Sequence, residues 1–238
     1  MATTRTTLKL LGGFDLSCAG RPVALQWSAQ RLLVFVALHE QPLLRPYVAG
    51  SLWLESSEER ANANLRSALW RLHRCGHALM ECAGQRLALG SDVVVDLRES
   101  EKVAQRVLAG SSDDDLDVEP VALHGDLLPG WYDDWIIFER ERYRQLRLRA
   151  LDRLCERLTA ADRLDEALEA GLAAVKLEPL RESSHRAVVR AHLADGNVAE
   201  AVRQYRICRR VLHDHLGLEP SEQMNSLLEG VHALATAR

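Results

Sequence analysis

Four arginines and no acidic residue occur between Arg60 and Arg74, in a 238-residue chain whose formal net charge is −4. At about 100° per residue, one side of a helix over this stretch is apolar, and it consists of Ala61, Leu65, Ala68, Leu69 and Leu72. The opposite side and its flanks carry Arg60, Asn64, Arg66, Ser67, Trp70, Arg71 and Arg74. Exposed helix faces usually mix charges of both signs, because opposite charges pair along the surface. A face that has arginines and lacks carboxylates is suited to binding a polyanion.

The residue types on this face match the edges of nucleic-acid bases. An arginine fork matches guanine O6 and N7 or a phosphate, and asparagine matches adenine N6 and N7. The stretch is therefore predicted to be a DNA recognition helix. A basic surface helix with an ordinary core face is the alternative interpretation of the same residues, and the elements on either side favour the first.

Strands and two helices are predicted before this stretch. Residues 7–18 alternate apolar and polar side chains, and a turn separates them from a short strand at 23–25, which together indicate a small N-terminal sheet. Ser28 is predicted to cap a helix that runs to about His39. A shorter helix is predicted to open at Arg45, because the following proline suits a first helical turn.

A hairpin is predicted after the arginine-rich helix. Cys75-Gly76 ends that helix, and the apolar runs 78–82 and 86–89 flank a glycine-containing turn. Gln85 and Arg86 stand at this turn, where they can touch phosphate or the minor groove. Strands, three helices and a terminal hairpin in that order predict a winged helix-turn-helix of the OmpR type over residues 1–96, with a last strand at 93–96. In this architecture the third helix enters the major groove.

The remainder, residues 97–238, differs from the first part in charge and in periodicity. Residues 1–96 contain 10 Lys+Arg and 8 Asp+Glu, a net of +2, and residues 97–238 contain the other 20 and 26, a net of −6. Glu166-Ala167 recurs as Glu200-Ala201, an offset of 200 − 166 = 34 residues. A period of about 34 residues is typical of tetratricopeptide repeats, whose concave side binds protein segments. A plain helical bundle with a coincidental similarity is the alternative.

Composition excludes several classes of protein. Hydrophobic residues make up 47% and charged residues 27%, which predicts a packed domain. No apolar run is long enough for a bilayer, and five cysteines without a CxxC pair indicate reduced thiols, so a cytoplasmic, nucleoid-associated protein without a membrane partner is expected. The spacing of His73, Cys75, His77 and Cys82 matches no standard zinc pattern. No phosphate-binding loop or catalytic motif is present, so neither enzymatic activity nor a cofactor is expected.

Several segments resemble one protein family. LKLLGGFDL, GRPVAL, ANLRSALWRL, GWYDDWIIFERER and AVRQYRICRRVLHDHLGLEPS, between Leu8 and Val231, resemble the antibiotic regulatory protein family of actinobacteria. The resemblance implies an OmpR-type DNA-binding domain joined to a bacterial transcriptional activator domain of tetratricopeptide-like helices. By position, it places Asn64, Arg66, Ser67, Trp70 and Arg71 on the recognition helix and Arg86 in the wing. Larger members carry an ATPase domain after the helical part, whereas this sequence ends at Arg238. Nucleotide-driven control within this sequence is therefore not expected.

The resemblance also implies a mode of action. Family members bind directly repeated promoter elements, usually as dimers, and recruit RNA polymerase. The leading hypothesis is therefore a sequence-specific regulator of transcription, more specifically an activator of antibiotic biosynthesis, with double-stranded DNA, RNA polymerase and a second copy as partners. Since winged helices bind protein as well as DNA, a tetratricopeptide-type adaptor whose winged helix binds protein is the alternative. A regulator tuned by a small ligand is a third hypothesis.

Overall fold

The computed structural model describes residues 6–110, 123 and 125–236, with side chains to residue 229. The strands are β1 Thr6–Lys9, β2 Asp15–Cys18, β3 Arg21–Pro22, β4 Leu43–Leu44, β5 Met80–Ala83, β6 Arg86–Leu89 and β7 Val93–Val95. The helices are α1 Trp27–Ala37, α2 Arg45–Leu52, α3 Glu58–Arg74, α4 Asp96–Ala109, α5 Asp134–Ala160, α6 Leu164–Leu177, α7 Glu182–Ala194, α8 Val198–Leu216 and α9 Glu222–Thr236.

The chain divides into two compact units. The first unit is Met1–Glu99 together with Gly125–Arg142, and the second is Ser100–His124 together with Tyr143–Arg238. Each unit is therefore built from two separate stretches of the chain. Residues 125–142, near the middle of the chain, pack with the N-terminal residues. The polar, acidic stretch at 110–119, whose composition predicts a loop, lies, apart from Gly110, outside the described residues.

The N-terminal sheet has the strand order β3-β2-β1-β7. β1 pairs antiparallel with β2 and parallel with β7, with Leu8 opposite both Leu16 and Val95. The strand predicted at 93–96 is confirmed as Val93–Val95, and after the wing it returns to the first sheet. Burial of Leu8 and Val95 favours this pairing, and the Asp96 carboxylate secures it by accepting hydrogen bonds from the backbone N–H groups of Leu10 and Leu11 at 2.8 and 3.1 Å.

Two local predictions in this unit need correction. The short strand lies at Arg21–Pro22 and not at 23–25, because Arg21 and Pro22 are the residues that pair with β2. Helix α1 begins at Trp27, so Ser28 lies inside it, and Gln26 occupies the N-cap position without a side-chain hydrogen bond. The Ser28 hydroxyl instead accepts a hydrogen bond from α3, as described below.

Residues 125–142 complete the core of the first unit. Trp131 is only 7% exposed, and its ring centroid lies 4.4 Å from that of Trp27 and 6.2 Å from that of Phe14. The Arg140 guanidinium donates to the carbonyl oxygens of Leu127, Leu128 and Trp131 at 2.9, 2.7 and 2.9 Å. These three bonds hold the turn-rich segment before α5 closed, so that its tryptophan stays against the N-terminal residues.

In the second unit, successive helices pack on one another. The largest part of its core is formed by small and branched residues of α5, α6 and α7, including Leu154, Cys155 and Ala170. A Cβ at Gly171 would lie 2.7 Å from Val188 Cγ2 and 3.0 Å from Cys155 Sγ. Glycine at this position therefore permits the close approach of α6 to both neighbours.

The repeat found in the sequence coincides with helix starts in the second unit. α6 begins at Leu164 and α8 at Val198, an offset of 198 − 164 = 34 residues. The following helices, α7 and α9, begin at Glu182 and Glu222, an offset of 222 − 182 = 40 residues. The first helix of each pair thus keeps the period and the second does not, and the tetratricopeptide assignment stays a prediction.

His185 links α7 to α8 in the core of the second unit. It is 1% exposed; its Nε2 lies 2.9 Å from the carbonyl oxygen of Pro179, and its Nδ1 lies 2.8 Å from Gln204 Nε2. A neutral ring protonated on Nε2 satisfies both contacts. Burial lowers the pKa of His185 below its usual value, because it penalises the charged form.

We expect His185 to make the stability of the second unit depend on pH. An unfolded histidine takes up a proton below about pH 6.5, whereas the buried ring stays neutral further into acid. Its contribution to stability is therefore complete above that pH and is lost as the pH falls below it. The melting temperature of the wild-type chain should fall more steeply between about pH 6.5 and pH 5 than that of His185→Gln. Equal slopes for the two chains would contradict this role.

None of the helices in the described part of the chain is both long enough and apolar enough to cross a membrane.

Candidate nucleic-acid interface

Helix α3 is built to bury one side against the rest of the first unit. Ser57 caps it by accepting a hydrogen bond from the backbone N–H of Arg60 at 3.4 Å, and Glu58 and Glu59 occupy the first turn, where the helix dipole favours acids. The residues buried on this side are Ala61, Leu65, Ala68 and Leu72. Leu69, which the helical periodicity also predicts to be buried, is only half-buried, because it borders a surface cleft beside the wing.

The outward face of α3 is basic and aromatic. Arg60, Arg66, Ser67, Trp70 and Arg74 are exposed, and Asn64 is half-buried. Trp70 is 59% exposed, and the Arg74 guanidinium carbon lies 4.7 Å from the centroid of its ring. A large exposed ring with a guanidinium above it presents a flat surface that carries positive charge.

The arginines of this face are not neutralised by the protein. Among the described residues, none of Arg60, Arg66, Arg71 and Arg74 forms an ion pair with a carboxylate. This contrasts with the densely charged helix α5, where Arg142 pairs with Glu139 at 2.8 Å and Arg153 with Glu156 at 3.5 Å. The positive charge of α3 is therefore available to an external anion.

Two predicted residues of α3 also make contacts within the protein. Arg71 is half-buried, and its Nη1 donates a hydrogen bond to the Ser28 hydroxyl at 2.7 Å. The Ser67 hydroxyl donates to the carbonyl oxygen of Ala63, one turn back, at 3.0 Å. Arg71 thus ties α3 to α1 on one flank of the face, and Arg66 stands on the other flank, nearer the wing.

The predicted hairpin is present and forms the wing, which we define as residues 80–89. β4, β6 and β5 lie side by side in that order, so the wing is anchored to the residues just before α2. Leu87 is fully buried and opposes Leu43 and Cys82. Gln85 and Arg86 stand exposed at the tip, as the sequence predicts.

One basic residue of this region, Arg45, is not predicted by the sequence analysis to belong to the site. Arg45 donates a backbone hydrogen bond to the carbonyl oxygen of Gln85 at 2.9 Å, and its side chain borders both surface clefts between α3 and the wing, of about 620 and 740 Å³. Its Nε is buried and has no hydrogen-bond partner among the described residues. In the sequence, the Arg45-Pro46 pair indicates only a helix start, since nothing local to it shows that the wing folds back beside it.

The two clefts show how the arrangement can hold an anion. Arg66 borders both of them, together with Arg45. The first cleft is also lined by Trp70, His73 and Met80, and the second by Glu59, Asn62 and Gln85. Side chains of α3, the start of α2 and the wing tip therefore meet in these clefts, where Arg45 and Arg66 supply the positive charge.

Among the described residues, no group of three or more His, Cys, Asp and Glu is placed to hold a metal ion. All five cysteines are free thiols. Burial raises the pKa of Cys155 to about 12 and that of Cys208 to about 11, so these two are protonated and unreactive at neutral pH.

Comparison with solved structures supports the fold described above. Mycobacterium tuberculosis EmbR, in a structure described as a complex with a low-affinity phosphopeptide, superposes with a TM-score of 0.73 at 18% identity, covering 97% of this chain. This chain spans 66% of the EmbR chain. The fold prediction, a mainly α chain with a small β part in which a winged helix-turn-helix is followed by a helical domain, is confirmed.

Comparison with known protein families shows which family the chain belongs to. No curated protein matches it in sequence. The sequence profile of the family described as bacterial transcriptional activator domain matches residues 110–232, which is more than half of the 238 residues. The chain therefore belongs to the bacterial transcriptional activator domain family, a family of transcriptional regulators.

Proposed function

We propose that the chain is a sequence-specific DNA-binding regulator of transcription that acts without enzymatic chemistry. The observation that carries the proposal is the outward face of α3, on which Arg60, Arg66 and Arg74 are exposed and have no carboxylate partner among the described residues. DNA supplies the missing anions, and an exposed helix beside a wing matches the way in which helix-turn-helix proteins enter the major groove.

The residues divide into those that position the protein and those that read bases. Arg45 and Arg86, at the start of α2 and in the wing, are proposed to contact phosphates, which set affinity and register. Asn64, Arg66, Ser67, Trp70 and Arg74 are proposed to face the major groove. Arg66 has the fork geometry for guanine and Asn64 the amide for adenine. Arg71 lies on the flank towards α1, and Arg71 and Arg60 are proposed to approach the DNA backbone.

The finer points of function follow from the family resemblance of residues 130–142 and 204–221. We propose activation through RNA polymerase, binding to directly repeated elements as a homodimer, and a role in antibiotic biosynthesis in the cytoplasm, at the nucleoid. The tetratricopeptide-like period and the net charge of −6 in residues 97–238 support a protein-binding role for the second unit.

Selection of bound duplexes from a random pool by the full chain tests the proposal. We expect a consensus that contains two copies of one short element in the same orientation. A pool that shows no enrichment would contradict DNA recognition and favour the adaptor alternative, in which the winged helix binds protein. A single enriched element would retain DNA recognition and contradict the direct-repeat proposal.

We expect the wing to contribute affinity more than specificity. Arg86→Ala should weaken binding to the selected duplex and to random DNA by similar factors, because a phosphate contact is independent of sequence. The slope of log affinity against log salt should become shallower by about 0.9, the value for one phosphate. Gln85→Ala, next to it in the turn, removes no charge and is the matched control, with an unchanged slope. A loss confined to the selected duplex would show that Arg86 reads bases.

A further inference from the structure

An exposed aromatic surface lies in the first unit and shares no lining residue with the α3–wing clefts. Leu54, Tyr132 and Phe138 are 73%, 83% and 77% exposed. They border a cleft of about 680 Å³ that is also lined by Glu55 and Asp134. We call these five residues the aromatic–acidic surface. Large apolar side chains exposed together mark a site of association, because burying them is favourable.

The charge of this surface is negative. Asp133, in the same cleft, forms a salt bridge with Arg31 at 2.5 Å, so these two side chains neutralise each other. Glu55 and Asp134 are exposed, and neither forms an ion pair with a described residue. A partner for this surface therefore has to supply positive charge beside apolar groups.

Such a set of residues exists on the second unit. Arg203, Arg206, Ile207 and Arg210 are exposed on α8, and their spacing of i, i+3, i+4 and i+7 places them on one side of the helix. We call them the α8 basic face. Ile207 is 42% exposed at its centre. Arg203 reaches Glu200 at 3.5 Å, a weak exposed pair, whereas Arg206 and Arg210 have no carboxylate partner among the described residues.

We propose that the α8 basic face of one copy docks on the aromatic–acidic surface of a second copy. The two surfaces have opposite unpaired charges, and each has exposed apolar groups at its centre. Guanidinium groups also stack favourably on aromatic rings such as Tyr132 and Phe138. In this contact, the carboxylates of Glu55 and Asp134 on one copy form ion pairs with Arg206 and Arg210 on the other. None of these four side chains has an ion-pair partner among the described residues.

The contact has a direction. Since the two surfaces differ, a single contact of this kind joins unlike patches of two copies and is heterologous. A heterologous contact does not require the two-fold axis that suits inverted repeats, and it is therefore compatible with DNA elements repeated in the same orientation. The inference rests on the proposed function only for this role on DNA. Each surface is small, so DNA would strengthen the contact by holding neighbours at high effective concentration.

Charge reversal on each surface provides the test, using the full chain without DNA in sedimentation velocity at increasing concentrations. The acid-reversed variant is Glu55→Arg with Asp134→Arg, and the base-reversed variant is Arg206→Glu with Arg210→Glu. We expect the wild-type chain to associate as its concentration rises, and each variant alone to remain monomeric because like charges then face each other. We expect their equimolar mixture, and the chain with all four substitutions, to associate again.

The controls separate a folding defect and a failure of the proposed function from a failure of this inference. Arg153→Glu, on an exposed part of α5, should associate like the wild-type chain. Circular dichroism should show that both double variants keep the wild-type melting temperature. A wild-type chain that stays monomeric at every concentration, or a mixture that fails to associate, overturns the inference. The sedimentation experiment contains no DNA and therefore tests self-association alone. A chain that associates but does not recognise DNA would overturn only the proposed function, so the two failures are distinguishable.

Discussion

We expect Arg66→Ala to lower the affinity of the full chain for its selected duplex by about 5- to 150-fold, which corresponds to about 1–3 kcal/mol for a base-reading arginine. Arg66 is exposed, has no carboxylate partner among the described residues, and borders both clefts between α3 and the wing. Its removal takes away a guanidinium without opening a cavity, so the fold and the melting temperature should be unchanged. Fluorescence anisotropy with the selected and a scrambled duplex measures the loss.

Arg153→Ala is the matched control for Arg66→Ala. Arg153 is also an exposed helical arginine, but it lies on α5 and pairs with Glu156 at 3.5 Å. Its replacement should leave the affinity unchanged, although it alters the net charge by the same amount. If both variants lost the same affinity, the effect of Arg66 would be one of overall charge, and its assignment to the recognition face would be wrong.

The largest effect on stability is expected for Trp131→Ala. The Trp131 ring is 7% exposed and lies between Phe14 and Trp27 of the N-terminal residues and Trp135 of α5. Replacing a buried tryptophan by alanine costs about 3–5 kcal/mol in the free energy of unfolding, because it removes apolar burial and leaves a cavity. Thermal unfolding followed by circular dichroism should show a correspondingly lower melting temperature.

Tyr132→Ala provides the matched control for that prediction. Tyr132 is the next residue and also aromatic, but it is 83% exposed. Its removal should change the free energy of unfolding by no more than about 0.5 kcal/mol. Similar losses from both substitutions would contradict the view that residues 125–142 are part of the core of the first unit.

The helix and the hairpin of the candidate interface could be predicted because their signals are local. Periodicity identified four buried residues of α3 correctly, namely Ala61, Leu65, Ala68 and Leu72. Leu69 stands at the edge of the apolar side, and whether such a residue is buried depends on how near the wing lies. Periodicity within one helix contains no information about that distance.

The features that were missed depend on contacts between distant parts of the chain. Val93–Val95 reads as a strand, but its parallel pairing with β1 joins residues more than eighty positions apart. The position of Arg45 beside the wing depends on the pairing of β4 with β6. Trp131 packs on Phe14 and Trp27 across more than a hundred residues. A pattern confined to one segment could not reveal any of these contacts.

The salt dependence of binding to the selected duplex tests the central claim most directly. If α3, Arg45 and the wing bind DNA as proposed, log affinity should fall linearly with log salt concentration, by about 0.9 for each phosphate contacted. The selected duplex should also bind more tightly than a scrambled one at every salt concentration. An affinity that is independent of salt, or one that is equal for the two duplexes, would contradict sequence-specific DNA recognition by this chain.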